Sequence, residues 1–129
     1  MSLEDMTKNH MMAHLTDALN DGQDIGHYGR LVYTIIGRHF VEEDELVSLL
    51  AQDKDFSEEG ARDLVRQVQE ADYSPPGRAK IMEYMEKQDF PILPNADDPD
   101  EGNVYRDLDF PQHVYDHIQE YRQQKAETD

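Results

Sequence analysis

Two pairs of histidines have the spacing that lets one helix chelate a metal ion. His10 and His14 form the first pair, and His113 and His117 form the second. Residues four positions apart lie on neighbouring turns of a helix, an arrangement that suits zinc and similar ions. One hypothesis is therefore a divalent metal site between the first and last helices.

Helical-wheel positions favour a different interpretation of these histidines. When Leu15 marks the centre of the apolar stripe, His14 lies about 100° from it and His10 about 140° from it. The second pair is placed in the same way on its own helix. Neither pair carries the glutamate of the H-E-x-x-H zinc motif. The pattern favours four solvated or rim histidines over a metal centre.

Arg30, Arg38 and His39 lie on the most apolar predicted helix. The two arginines could clamp a phosphate or carboxylate ligand, because a guanidinium group pairs bidentately with both. Salt bridges to the surplus of acids are the simpler interpretation, which we favour. His39 shares a stripe with Val32 and is expected to be a buried, hydrogen-bonded core histidine. The alternative is a catalytic base lined by Tyr28 and an acid from another helix.

An acidic run between Asn95 and Asn103 has the oxygen-rich composition of a cation-binding loop. It contains Asp97, Asp98, Asp100 and Glu101. A calcium-binding EF-hand loop requires glycine at its sixth position and glutamate at its twelfth. Counted from Asp98, glycine comes one position early and Asp109 takes the place of the glutamate. The spacing therefore favours a solvated turn, and leaves weak cation binding or contact with a basic partner as alternatives.

Hydrophobic periodicity predicts an all-α fold that positions these residues. We expect a compact bundle of about six helices, with a long acidic, proline-rich loop before the last one. The first helix begins with the capping-box spacing of Ser2 and Asp5 and ends at Asp21. The second runs from Ile25 to His39, and its apolar stripe predicts a central place in the bundle.

The remaining helices and the loop follow from capping and proline signals. A helix pair is predicted between Glu42 and Glu70, a fifth helix after Ser74, and a last helix that ends at Arg122. We expect one domain over 1–122, with the loop at 89–108 and a frayed tail at 123–129. The apolar residues of the loop indicate that both of its ends are held against the body and that its acidic middle is free.

The charge balance excludes several classes of partner. The chain has 29 Asp and Glu against 12 Lys and Arg, a formal net charge of −17 at pH 7. Such a field repels a phosphate backbone and an anionic membrane, so direct nucleic-acid and membrane binding are disfavoured. The absence of cysteine excludes disulfides and thiol chemistry. With no apolar segment of ~20 residues and no signal-peptide pattern, we expect a cytoplasmic protein.

No catalytic motif stands out, so we favour a non-enzymatic protein. The predicted function is an interaction or regulatory module that docks a basic partner protein. DNA mimicry is the sharpest form of this hypothesis. The alternative is a metal- or small-ligand-binding helical bundle that uses the paired histidines, and no other cofactor is expected. The sequence does not decide whether the chain forms a homo-oligomer, or whether its acids serve only to keep it in solution.

Overall fold

The computed structural model describes residues 2–118, and these residues form helices, turns and loops without a β-strand. Seven helices follow in chain order: α1 Leu3–Met6, α2 His10–Asn20, α3 Gly26–Gly37, α4 Glu43–Leu50, α5 Glu58–Ala71, α6 Arg78–Met85 and α7 Val104–Asp107. A further helix, α8, covers 112–118. The all-α class is thus confirmed. None of the helices in this part of the chain has the length and apolarity needed to span a bilayer. The predictions for 119–129 lie outside the described residues.

The predicted first helix is two helices, because Asn9 begins a new one. Its Oδ1 accepts a hydrogen bond from Met12 N at 3.0 Å, and its Nδ2 donates to Asp107 Oδ2 at 3.0 Å. Asn9 is buried, so both of its polar groups need partners inside the protein. Ser2 therefore caps only the short α1, where its hydroxyl accepts a hydrogen bond from Asp5 N. The expectation of one continuous helix is wrong at this point.

Helix α3 is the centre of the bundle and packs against α2, α4, α5 and α6. Most of its residues are buried, as its apolar pattern predicts. One of them, Tyr33, lies 2.9 Å from the Thr16 hydroxyl, which itself donates to the Met12 carbonyl. The Tyr33 hydroxyl is therefore the donor to Thr16, and burial raises the pKa of Tyr33 to about 12. This hydrogen-bonded pair fixes how α2 and α3 face each other.

The first amides of α3 are bound by one local carboxylate and by side chains that are distant in sequence. Gly26 N donates to Asp24 Oδ1 at 2.8 Å. Ile25 is the N-cap residue and offers no side-chain acceptor. Its own amide donates to Asp53 Oδ2 at 3.0 Å. The amides of Tyr28 and Gly29 donate to Gln88 Oε1, at 2.8 and 3.3 Å. The start of α3 is thus completed by one local acceptor and by two other segments of the fold.

The Gln88 amide also fixes the start of the long loop. Its Nε2 donates to the carbonyls of Ile25 and Phe90, at 2.9 and 3.0 Å. Gly26 has φ +80°, and a Cβ there would come within 2.5 Å of Gln88 Oε1. Only glycine both adopts this backbone conformation readily and leaves room for the amide.

Helices α4 and α5 form the predicted helix pair. The Ser57 hydroxyl accepts a hydrogen bond from Gly60 N at 3.0 Å and caps α5. At the other end, Asp72 takes a left-handed conformation with φ 52°, which aspartate tolerates better than most residues. A small apolar cluster joins α5 to α3 and contains Ile35, Leu64 and Val68.

The loop at 89–108 is held against the body along most of its length. Its apolar side chains at both ends pack into the main core, and three are fully buried, namely Ile92, Leu93 and Val104. The loop ends in α7, a short helix that the sequence pattern does not predict. Its middle is not free, because Glu101 is buried and Arg78 Nη2 donates to the Ala96 carbonyl at 2.6 Å.

Candidate interaction surface

Arg30 is buried in an ion-pair network inside the bundle. Its Nη1 lies 3.2 Å from Asp53 Oδ2 and 3.1 Å from Asp24 Oδ1. Its guanidinium carbon lies 4.6 Å from the centre of the Phe56 ring. The Asp53 carboxylate is itself fully enclosed and also binds the Ile25 amide. These contacts occupy Arg30, and they fit internal salt bridging better than a ligand clamp.

Arg38 binds the end of α5. Its Nη2 donates to Asp72 Oδ1 at 2.6 Å and to the Tyr73 carbonyl at 3.1 Å. This hydrogen bond lowers the pKa of the Asp72 carboxyl. Along α3, Arg38 lies about 12 Å from Arg30. The two arginines bind different carboxylates and do not share a ligand site.

His39 lies in the turn after α3, where it is half-buried, and not on the helix stripe as predicted. Its ring lies 5.7 Å from the ring of Phe110 and 6.0 Å from that of His113. Within the described residues its buried Nε2 has no hydrogen-bond partner. Burial, with the positive charges of Arg38 and His113, lowers the pKa of His39 to about 4. Tyr28 is about 16 Å away along α3, so it does not line this position.

His10 and His14 hold the long loop against α2. His10 Nδ1 lies 2.9 Å from Glu101 Oε1. His14 Nε2 donates to the Pro91 carbonyl at 2.8 Å, and its ring stacks on Phe90 with the ring centres 5.3 Å apart. Both histidines therefore have partners within the fold.

The second histidine pair lies elsewhere. His113 and His117 are exposed on α8, and their charges act on the Asp72 carboxylate at the end of α5. In residues 2–118, no group of three or more His, Asp or Glu side chains is arranged to hold a metal ion. The four paired histidines thus do not converge on a common point. Metal binding stays a prediction. Equilibrium dialysis against zinc, nickel and manganese tests it, and no stoichiometric uptake of any of them would contradict it.

The acidic loop residues mainly organise the loop itself. Asp98 Oδ1 accepts a hydrogen bond from Asp100 N at 2.9 Å, and Asp100 Oδ1 lies 3.2 Å from Arg106 Nη1. Glu101 Oε1 is buried beside His10 Nδ1, but the contact does not have the geometry of a hydrogen bond. Of the four carboxylates predicted here, Asp97 alone has no hydrogen bond or ion pair with another described residue. Asp100 and Glu101 therefore have a basic partner, whereas Asp97 and Asp98 have no cation within 4.0 Å in the described residues.

A groove with an apolar lining lies between α3, α5 and α6. Its volume is about 360 Å³. Its apolar and aromatic lining residues are Leu31, Ile35, Leu64, Tyr73, Pro76 and Tyr84, and its polar ones are His27, Gln67, Ser74 and Lys80. Tyr73 is a large apolar side chain of this groove, and 44% of its surface is exposed to solvent. The lining of this groove is more apolar than that of the second cavity described below.

One face of α5 presents acids beside this groove. Glu59, Asp63 and Glu70 are exposed and follow each other at helical spacing together with Gln67. Because Gln67 lines the groove, this row borders it. We call Glu59, Asp63 and Glu70 the acidic ridge. In residues 2–118, no Lys, Arg or His nitrogen lies within 4.0 Å of a ridge carboxylate.

The arginines of α5 reach the start of α4, although Arg66 lies four residues before Glu70 and therefore on the same face as the acidic ridge. Arg62 Nη1 lies 3.1 Å from Asp44 Oδ1 and 3.4 Å from Glu43 Oε2, both at the start of α4. Arg66 Nε lies 3.8 Å from Glu43 Oε1. Both arginines therefore pair with acids of α4, and the ridge carboxylates keep no cation within 4.0 Å in the described residues.

A smaller cavity of about 280 Å³ lies between α1, the turn after α3 and the end of the loop. Its lining includes Asp5, Lys8, Asp107 and Asp109. Lys8 is paired with Asp5 at 3.2 Å, and Asp107 accepts hydrogen bonds from Asn9 and Arg106. Most of its polar groups thus serve the contact between α1 and the loop.

The sequence analysis does not identify the groove or Tyr73 as functional. Three helices that are separated in sequence form the groove, so no local motif encodes it. The available signal was the row of Glu59, Asp63, Gln67 and Glu70 at helical spacing on one face of α5. In comparisons of sequence and of fold, the chain matches no protein-family model, no curated protein and no solved structure.

Proposed function

We propose that this protein is a non-enzymatic interaction module that binds a basic segment of a partner protein. The observation that carries the proposal is the acidic ridge, a row of exposed carboxylates on α5 that has no cation partner in the described residues. Lysines or arginines of a partner would form ion pairs with these carboxylates. The opposite charges of the two proteins would also raise their association rate.

The distribution of cations supports this proposal. Seven of the ten Lys and Arg side chains in residues 2–118 already lie within 4.0 Å of a carboxylate: Lys8, Arg30, Arg38, Arg62, Arg66, Lys80 and Arg106. The molecule therefore has few positive charges left with which to neutralise its own acids. The surplus acids are on the surface, where a partner can reach them.

Binding of a fluorescent lysine-rich peptide to a ridge variant tests the proposal. The variant combines Glu59→Gln, Asp63→Asn and Glu70→Gln. We expect its affinity to fall about tenfold at low salt, since each exposed charge pair contributes up to about 1 kcal/mol. Wild-type affinity is expected to fall steeply with added salt.

A matched control separates the ridge from net charge. Glu4→Gln, Asp17→Asn and Asp21→Asn remove the same number of exposed charges from α1 and the end of α2. The control is expected to bind within about twofold of wild type. Equal losses in the two triple variants, or an affinity that does not respond to salt, would contradict a specific interaction surface.

Competition by duplex DNA tests the mimicry form of the proposal. If the ridge imitates DNA phosphates, its partner is a DNA-binding protein, and duplex DNA and this protein would exclude each other from it. A captured partner that binds both at once would rule out mimicry and leave the interaction module in place.

A further inference from the structure

We infer that the groove between α3, α5 and α6 seats the apolar face of a basic amphipathic helix from the partner protein. This inference rests on the proposed function and specifies the chemistry of the partner. It combines two features that lie side by side, an apolar groove and an acidic ridge along one of its edges.

The groove suits an apolar anchor from another chain. Ile35 and Leu64 form part of its lining and belong to the small cluster between α3 and α5, so the surface beneath an anchor is already packed. Tyr73 leaves 44% of its surface in contact with water. Covering exposed aromatic surface of this kind stabilises a complex through desolvation.

Tyr73 is held in place before any partner arrives. Arg38 Nη2 binds the Tyr73 carbonyl at 3.1 Å and the neighbouring Asp72 carboxylate at 2.6 Å. The backbone at this edge of the groove is therefore fixed by α3. A preformed edge reduces the entropy that binding would otherwise lose.

The two edges of the groove carry different charges, which selects the partner and its orientation. The α5 edge has the acidic ridge, whereas the opposite edge has His27 and Lys80. Lys80 lies 3.4 Å from Glu83 and 5.4 Å from the Tyr84 ring centre, so its charge is already partly matched. A partner helix with lysines or arginines along one side fits only when that side faces α5.

The length of the ridge sets the length of the partner helix. Glu59 and Glu70 are about 16 Å apart along α5, which corresponds to roughly three helical turns. A helix of that length places apolar anchors at its i, i+4 and i+7 positions in the groove and its cations over the ridge.

Two synthetic peptides of about 14 residues test the inference. Both contain the same leucines and lysines, but only one arranges them on opposite faces of a helix. We expect the amphipathic peptide to bind about tenfold more tightly than the scrambled one, because only it can place leucines in the groove and lysines on the ridge together.

Groove variants localise the binding. Tyr73→Ala removes exposed ring surface, and Leu31→Ala removes part of the half-buried lining. Each is expected to weaken the amphipathic peptide about fivefold and to leave the scrambled peptide unchanged. Leu3→Ala, at a half-buried leucine of α1, is the matched control and should not alter either affinity.

The possible results separate the two proposals. Salt-sensitive, ridge-dependent binding of both peptides with equal affinity would overturn the groove and retain the proposed function. Binding of neither peptide at low salt would contradict the proposed function as well. Sedimentation equilibrium supplies the remaining test, since self-association that Tyr73→Ala abolishes would assign the groove to a second copy of this chain.

Discussion

At the scale of single residues, the enclosed charges of this protein have specific partners. Arg30 and Asp53 bind each other, and Asp53 also accepts the Ile25 amide. Pairing of this kind is required, because an isolated charge in a protein interior is destabilised by several kcal/mol. The sequence-based preference for salt bridges over a ligand clamp agrees with this geometry.

His39 makes the stability of the fold depend on pH. The folded-state pKa of His39 is about 4, below the usual 6.5, so the unfolded chain binds its proton first as pH falls. Stability from the neutral imidazole is therefore complete above about pH 6.5 and is lost as pH falls to about 4. We expect a loss of about 1–2 kcal/mol after solvent screening.

Urea unfolding across this pH range measures the effect in wild type and in His39→Phe. The variant has no proton to take up at this position, so its stability should fall less between pH 6.5 and pH 4. His27→Gln removes an exposed histidine as a control and should retain the wild-type slope. A His39→Phe slope equal to that of wild type would show that His39 is not the titrating group.

At the scale of elements, local signals located most helices and their local caps, but not the contacts between segments distant in the chain. Ser57 caps α5 as its sequence predicts, because a cap and its helix are close in the chain. The start of α3 depends on Gln88, about 60 residues away, and no local pattern encodes that contact. The break at Asn9 is different, because its cap on Met12 N is local and only its second bond, to Asp107, is distant in the chain.

Replacing Gln88 tests how much α3 depends on a distant cap. Gln88→Met keeps the approximate size of the side chain and removes its hydrogen bonds to Ile25, Tyr28, Gly29 and Phe90. We expect the free energy of unfolding to fall by about 2–3 kcal/mol. Gln69→Met, at an exposed position of α5, should change it by less than about 0.5 kcal/mol. Similar losses of unfolding free energy in the two variants would contradict a capping role for Gln88.

At the scale of the whole molecule, the net charge of −17 acts against the compact state. Exposed acids repel one another, and the ion pairs of the described residues neutralise only part of this charge. The candidate surface became visible only at this scale, because it depends on which acids keep no partner after folding and on three helices meeting. Composition gave the sign of the charge, but not the location of its unpaired part.

Salt should therefore stabilise this protein while it weakens partner binding. We expect the free energy of unfolding to rise by about 1–2 kcal/mol between about 0.05 and 0.5 M sodium chloride, because screening reduces the repulsion. Thermal unfolding at both concentrations measures the change. The ridge variant, with fewer acids, should gain less than wild type. A midpoint that falls with salt would mean that exposed ion pairs outweigh the repulsion.

The Gln88 amide and the two α2 histidines also impose an order on folding. Three of their contacts join residues far apart in the chain, namely His14 to Pro91, His10 to Glu101 and Gln88 to Ile25. Such contacts close long loops of chain, so they form after the local helices that they join. We expect the loop to be the last segment protected from solvent during refolding. Pulse-labelled hydrogen exchange that finds loop amides protected as early as those of α3 would refute this order.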